Sequence, residues 1–247
     1  MNLDLTLVLA SLAALFVGMS KGGLPAIGMM GVPLLSMVMP PMKAAVLLLP
    51  IYVISDMVSV WLYRRHFSAI NLKILVPAGI FGVFVGWLTA AYTSDAVTKL
   101  LIGGMGIVFC LYTWFGQKNG PTQSANRFKG WFWGTVAGFT SFTSHAGAPP
   151  FQVYVLPQRL PKMVYAGTAT LLFTCINAAK IWPYQLLNPY HADDLMQAAM
   201  LVPAALIGTV VGAYATRKIA DAWFFRFVQV SLFAVSVKLC ADAAITW

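Results

Sequence analysis

Eight apolar stretches account for most of this chain, and two of them are broken in the middle. They run over 5–39, 44–62, 74–92, 97–116, 128–157, 163–182, 195–215 and 225–245; the first and the fifth carry the breaks. A bilayer span takes about 20 apolar residues, so the chain is expected to fold as an all-α integral membrane protein with little left over for a soluble domain. Of its 247 residues 60% are hydrophobic and 9% charged, against roughly 25% charged in an average soluble domain. One sizeable polar linker, 117–127, falls near the middle. It is read as cytoplasmic, joining an N-terminal membrane repeat, 1–116, to a C-terminal one, 128–247.

The breaks are Ser20-Lys21-Gly22-Gly23-Leu24-Pro25 and Ser144-His145-Ala146-Gly147-Ala148-Pro149-Pro150. Each places one cation-capable side chain, small residues and a helix-starting proline inside an apolar run. Backbone groups freed in lipid must find partners, so such breaks survive only where protein buries them or where they line a cavity. Paired interruptions in matching halves point to the binding site of a transporter.

The halves also resemble one another. Leu75-Val76-Pro77-Ala78-Gly79-Ile80-Phe81-Gly82-Val83-Phe84-Val85-Gly86 returns as Leu201-Val202-Pro203-Ala204-Ala205-Leu206-Ile207-Gly208-Thr209-Val210-Val211-Gly212. Upstream, with gaps of a few residues, Ser20 matches Ser144, Pro41 matches Pro161, Asp56 matches Asn177 and Trp61 matches Trp182. The GxxxG within each copy lets helices approach closely, and it is read as packing rather than substrate contact.

Loop charge separates two topologies. If each broken segment crosses once, seven cations (Lys43, Lys99, Arg159, Lys162, Arg217, Lys218, Arg226) face six (Arg64, Arg65, Lys73, Lys118, Arg127, Lys129), with no bias. If each turns back as a re-entrant hairpin, only Lys43 and Lys99 stand opposite the other eleven, a strong positive-inside signal. Arms of roughly 15 residues would reach about 22 Å, short of a core of about 30 Å. The expected fold is therefore two homologous halves as inverted repeats, each a broken re-entrant hairpin plus three transmembrane helices. The tips are expected to meet near mid-depth.

At such tips the first-turn amides of a helix and its dipole favour an anion. Ser20, Lys21, Gly22 and Gly23, with Ser144, His145, Ala146 and Gly147, are the expected substrate-binding residues. Asp56 is the clearest intramembrane carboxylate, a counter-ion for Lys21 or a proton carrier, and Asn177 is its uncharged repeat partner. Lys180 is expected to snorkel to the interface, and Lys238 with Asp242 to form a local i,i+4 pair.

Other classes are excluded on chemistry. The net charge of +9 sits in short loops beside spans, which argues against nucleic acid. Cys110, Cys175 and Cys240 are isolated in apolar segments and indicate neither a disulfide framework nor a metal site. The methionines crowding the first broken segment, Met29, Met30, Met37, Met39 and Met42, read as gap fillers. Trp131, Trp133, Trp182, Trp223 and Trp247 fit interfacial belts. No GxxxxGK[ST] sequence supports ATP hydrolysis, and no cofactor or metal is expected. Asp4 stands where a cleavable signal peptide needs positive charge, so the first segment is expected to persist. Ser20-Lys21 and Ser144-His145 are sequence neighbours pointing different ways on a helix, poor nucleophile–base pairs for a hydrolase.

On the Gly18-x-Ser20-Lys21-Gly22-Gly23 break, its echo Gly138-x-x-Ser141 through Pro149-Pro150, and the Pro/Gly-bearing repeat helices, the chain resembles the TauE/SafE family of membrane permeases, also called the sulfite-exporter family, over essentially its whole length. The resemblance implies a cell-membrane secondary transporter, an exporter of a small sulfur oxyanion such as sulfite or of an organosulfonate, working by alternating access. Its partners would be that anion, membrane lipid and protons as a coupling ion, and a homo-oligomer is compatible with it. The rival reading is an anion channel built on the same site. The second break carries His145 where the first carries Lys21, so equal roles for the two tips are not implied.

Overall fold

The computed structural model describes residues 3–35, 37–39, 41–89, 95–115, 122–187 and 189–245. Residues 117–121 of the expected linker, and Trp247, lie outside the described residues. Regular structure among the described residues is helical throughout: α1 (Leu3–Lys21), α2 (Pro25–Gly28), α3 (Gly31–Leu35), α4 (Pro41–Tyr63), α5 (Ala69–Thr89), α6 (Asp95–Phe115), α7 (Arg127–Ser144), α8 (Ala148–Val155) with a 3-10 turn at Leu156–Gln158, α9 (Lys162–Leu187), α10 (Ala192–Lys218) and α11 (Asp221–Ile245). Among the described residues five helices, α4, α5, α9, α10 and α11, are long and apolar enough to cross a membrane. Pro50, Pro77, Pro183 and Pro203 sit inside four of them, a placement that membrane helices tolerate.

The chain forms two compact units that cut across the sequence halves: Met1–Ser68 with Met163–Ile219, and Ala69–Lys162 with Ala220–Trp247. Each unit takes helices from both halves.

In the first unit α1 packs along α10 through glycines. A methyl group at Gly18 would overlap the Ala205 carbonyl oxygen, one at Gly208 the Leu15 carbonyl oxygen, and one at Gly212 would lie 2.5 Å from the Met19 carbonyl oxygen. In the second unit α7 packs along α5 by the same device. Gly138 meets the Gly79 carbonyl oxygen, Gly82 meets the Thr135 carbonyl oxygen, and a methyl at Gly86 would come 2.9 Å from the Phe142 ring. Ala205 and Gly79, Gly208 and Gly82, and Gly212 and Gly86 are the matched residues of the repeated sequence. On the other helix, Gly18 and Leu15 take the places of Gly138 and Thr135. Counted from these contacts without gaps, Ser20 stands level with Thr140 and Lys21 with Ser141. Also in the second unit, α6 lies on α11, where Trp114 Nε1 donates to Gln229 Oε1 at 3.2 Å.

Both broken segments reverse direction within their own unit. After Lys21 the chain returns along α1: a methyl at Gly28 would come 2.6 Å from Ser20 Oγ, and one at Gly31 3.2 Å from Val17 and 3.7 Å from the Ala13 carbonyl oxygen. After Ser144 it returns along α7. Ala146 N–H donates to the Thr140 carbonyl at 3.1 Å, Tyr154 OH to the Asn126 carbonyl at 3.1 Å, and Gln123 N–H to the Pro157 carbonyl at 3.2 Å. The arms are unequal, contrary to the expectation of about 15 residues each. The outgoing arms have 19 and 18 residues, about 28 and 27 Å at 1.5 Å per residue. The returning helices are short, with α2 four residues, α3 five and α8 eight.

Candidate functional site

The first turn is a helix C-terminus built on glycine. Leu24 N–H donates to the Met19 carbonyl at 3.4 Å and Gly23 N–H to the Ser20 carbonyl at 3.2 Å, the paired bonds of a Schellman motif. Gly23 takes the left-handed position at φ 111°, where a side chain is disfavoured. The carbonyls left over by the helix end are held by hydroxyls from three other helices. Gly22 O accepts from Tyr63 OH at 2.5 Å and Thr216 Oγ1 at 3.1 Å, and Lys21 O accepts from Thr170 Oγ1 at 3.4 Å. Tyr63 ends α4 and Thr216 lies in the last turn of α10. The turn therefore sits near those two helix ends.

The Lys21 side chain reaches into the unit and is 3% exposed. Its Nζ lies 2.7 Å from Asp56 Oδ1 and 5.2 Å from the centre of the Tyr52 ring. Asp56 carries two further donors from α9: Thr174 Oγ1 at 2.9 Å on Oδ1 and Asn177 Nδ2 at 2.9 Å on Oδ2. So the expected repeat partners Asp56 and Asn177 are bonded to one another. Lys180, one turn beyond Asn177, is fully buried and within electrostatic range of both Lys21 and Asp56. It does not snorkel to the interface, because α9 runs on through Pro183 to Leu187 and carries Lys180 inside the bundle. Two lysines and one aspartate thus share a dry cluster, where charges interact far more strongly than in water.

Other sequence expectations fare differently. Ser20 is buried, but its hydroxyl donates to the Val17 carbonyl at 2.6 Å, so that proton is committed to its own helix. Gly22 is placed for close backbone approach, since a methyl there would come 2.5 Å from Ala213 N. With α2 reduced to a single turn, no aligned helix dipole stands behind the first tip.

In the second unit His145 is 7% exposed and left-handed at φ 53°, closing α7 with its N–H on the Ser141 carbonyl. Ala146 and Gly147 are buried; the side chain of Ser144 lies outside the described residues. Pro149 and Pro150 open α8 behind the cap residue Gly147 and remove two first-turn amides. One residue passed over in the sequence is Gln152. It is fully buried with neither side-chain oxygen nor nitrogen hydrogen-bonded, a state that costs about 1–3 kcal/mol per group. A lone glutamine in an apolar run gives no sequence signal.

Lys238 and Asp242 pair on the exposed side of α11. Trp131, Trp182 and Trp223 are exposed, as belt residues are.

A family model described as Sulfite exporter TauE/SafE matches residues 10–239. No curated protein and no solved structure matches the chain.

Proposed function

This chain belongs to the sulfite exporter TauE/SafE family, multi-pass membrane transporters and not enzymes, and from that premise we propose that it exports a small sulfur-containing anion, sulfite or an organosulfonate, by alternating access. The observation that carries the reading is Lys21, buried at a helix break and held 2.7 Å from Asp56 among membrane-type helices. Ionisable groups inside a membrane are expensive and mark substrate or ion pathways. Ser20, Lys21, Gly22 and Gly23 are assigned to the substrate-facing turn of the first unit, with Asp56 and Asn177 as the coupling pair. Ser144, His145, Ala146 and Gly147 are assigned to the turn of the second. An inside-negative potential drives an anion outward by about 2.3 kcal/mol per charge per 100 mV, so export needs no nucleotide.

The test is flux in proteoliposomes. Sulfite or methanesulfonate should move in a saturable manner and show counterflow, and Lys21→Ala should abolish it. Flux that does not saturate, with single-channel currents, would replace the transporter by a channel.

The repeats are proposed to be inverted, with each broken segment re-entrant. The loop charges support this, as does the return of Pro157 to Gln123. With Cys110, Cys175 and Cys240 replaced by serine, Gln123→Cys and Tyr190→Cys should label from opposite faces of the membrane with an impermeant maleimide. A single crossing by the second broken segment puts both on the same face, so same-side labelling rejects its hairpin.

A further inference from the structure

The first break is held from outside its own helix. The Gly22 carbonyl, left over at the end of α1, accepts from Tyr63 OH of α4 and from Thr216 Oγ1 of α10. Both hydroxyls crowd the same peptide, since a methyl at Gly23 would come 2.5 Å from the first and 2.8 Å from the second. Tyr63 is 1% exposed and Thr216 0%. Ending a helix does not demand such reach. In the second unit the Ala146 carbonyl accepts from Thr140 Oγ1, on the helix it follows, at 3.0 Å, whereas Ser20, level with Thr140, donates to the Val17 carbonyl instead.

The Gly22 carbonyl also fixes a direction. Because Tyr63 and Thr216 meet on it, the exposed pairs that follow them in the chain, Arg64-Arg65 and Arg217-Lys218, lie at one end of the unit. Cations beside spans mark the cytoplasmic end. Asp56 lies two turns of α4 further in from Tyr63, about 10 Å, with the Lys21 ammonium on it. Residues 20–24 are all buried, so the turn stands between the ion pair and the cytoplasm.

We propose that Tyr63 and Thr216 form a hydroxyl latch: they hold the Lys21 turn against the ends of α4 and α10, close the cytoplasmic way to the Lys21–Asp56 pair, and must release Gly22 before that pair is reached from the cytoplasm. The inference rests on the transport reading and deepens it. A bond shifts a two-state equilibrium only by the difference in its strength between the states. With the turn closed, the Gly22 carbonyl is out of water and depends on the two hydroxyls; with the turn open, water serves it. Each hydroxyl therefore favours the closed state, by about fivefold for one hydrogen bond of ordinary net strength.

Accessibility is the readout, in the full chain with Cys110, Cys175 and Cys240 replaced by serine and Ser59→Cys as reporter. Ser59 is fully buried one turn before Tyr63, and a helical side chain covers the turn N-terminal to its own position, so Tyr63 shields it. An impermeant maleimide is applied to inside-out and to right-side-out vesicles. Tyr63→Phe keeps the ring and Thr216→Val keeps the shape, and each removes only a hydroxyl. Together they should speed labelling by about tenfold or more from the cytoplasmic face alone, and each singly by about threefold or more. Thr216→Ser retains the hydroxyl and should label within about twofold of the native rate.

An unchanged rate in the double variant overturns the latch. So does an equal rise from both faces, or a rise in Thr216→Ser as large as in Thr216→Val, because these report loosened packing and not the release of a hydrogen bond. If the double variant does not fold, Tyr63→Phe alone decides on the same terms. Saturable methanesulfonate flux is measured beside the labelling, with the parent protein in proteoliposomes. Its absence removes the transport reading and the latch's part in it, whereas flux with labelling indifferent to the hydroxyls removes the latch alone.

Discussion

Lys21→Met is expected to lower stability by about 3 kcal/mol and to remove anion flux, because it leaves Asp56 in a dry interior without its nearest cation. Breaking a buried ion pair from one side costs roughly 3–5 kcal/mol, most of it the penalty on the charge left behind. The lower end applies here: Thr174 and Asn177 still donate to the carboxylate, and Lys180 remains within electrostatic range. Methionine preserves the packing of the side-chain stem on Tyr52, 5.2 Å from the ammonium in the native protein. The loss therefore reports charge rather than volume. The check is resistance to unfolding by detergent titration, read by tryptophan fluorescence, beside the flux assay. The double variant Lys21→Met with Asp56→Asn should recover part of that stability, since it removes the carboxylate that the single variant leaves without its ion-pair partner. Failure to recover would assign the loss to the turn and not to the ion pair. Lys21→Met at wild-type stability would show the pair to be energetically idle.

Much of this arrangement is legible in the sequence, and the part that is not has identifiable causes. Long apolar runs give the spans to within a few residues because lipid permits little else. The two breaks are visible because glycine, proline and a cation have no ordinary place there, and Asp56 stands out for the same reason. What lies across from Asp56 is not legible. Thr174, Thr170, Thr216 and Tyr63 hold the carboxylate and the turn through hydroxyls, and threonine is common enough in helices that its type carries no signal. Lys180 is misread because the sixth apolar stretch is expected to end near Trp182, which places the lysine at an edge, whereas the helix continues five residues further to Leu187. The returning arms are misread because Pro25 and Pro149 announce a helix start but say nothing about its length. The compact units are hidden for another reason. The partner of α1 is α10, about 190 residues away, and pairing at that separation leaves no local trace beyond the glycines themselves.

Those glycines carry the second large effect. Gly18→Ala and Gly138→Ala are each expected to destabilise the protein by about 3 kcal/mol, the upper end of what one overpacked methyl costs. The obstacle in both cases is a backbone carbonyl, of Ala205 for Gly18 and of Gly79 for Gly138, and a carbonyl cannot rotate aside as a flexible side chain does. The helices must separate, and the neighbouring close approaches at Gly208 and Gly82 are lost with them. Gly104 supplies the control, because a methyl there meets nothing within 4 Å. Gly104→Ala should be neutral or stabilise by up to about 1 kcal/mol, the helix preference of alanine over glycine. All three variants are compared in the same detergent-unfolding assay. Gly18 and Gly138 stand at corresponding places, each against the matched residue of the repeated sequence, so a common architecture requires losses of similar size. A large loss at one and none at the other would separate the two helix pairs energetically and undo the reading of the halves as repeats. Equal losses, with Gly104→Ala unharmed, show that the close approach of α1 to α10 and that of α7 to α5 carry similar weight, each in its own unit.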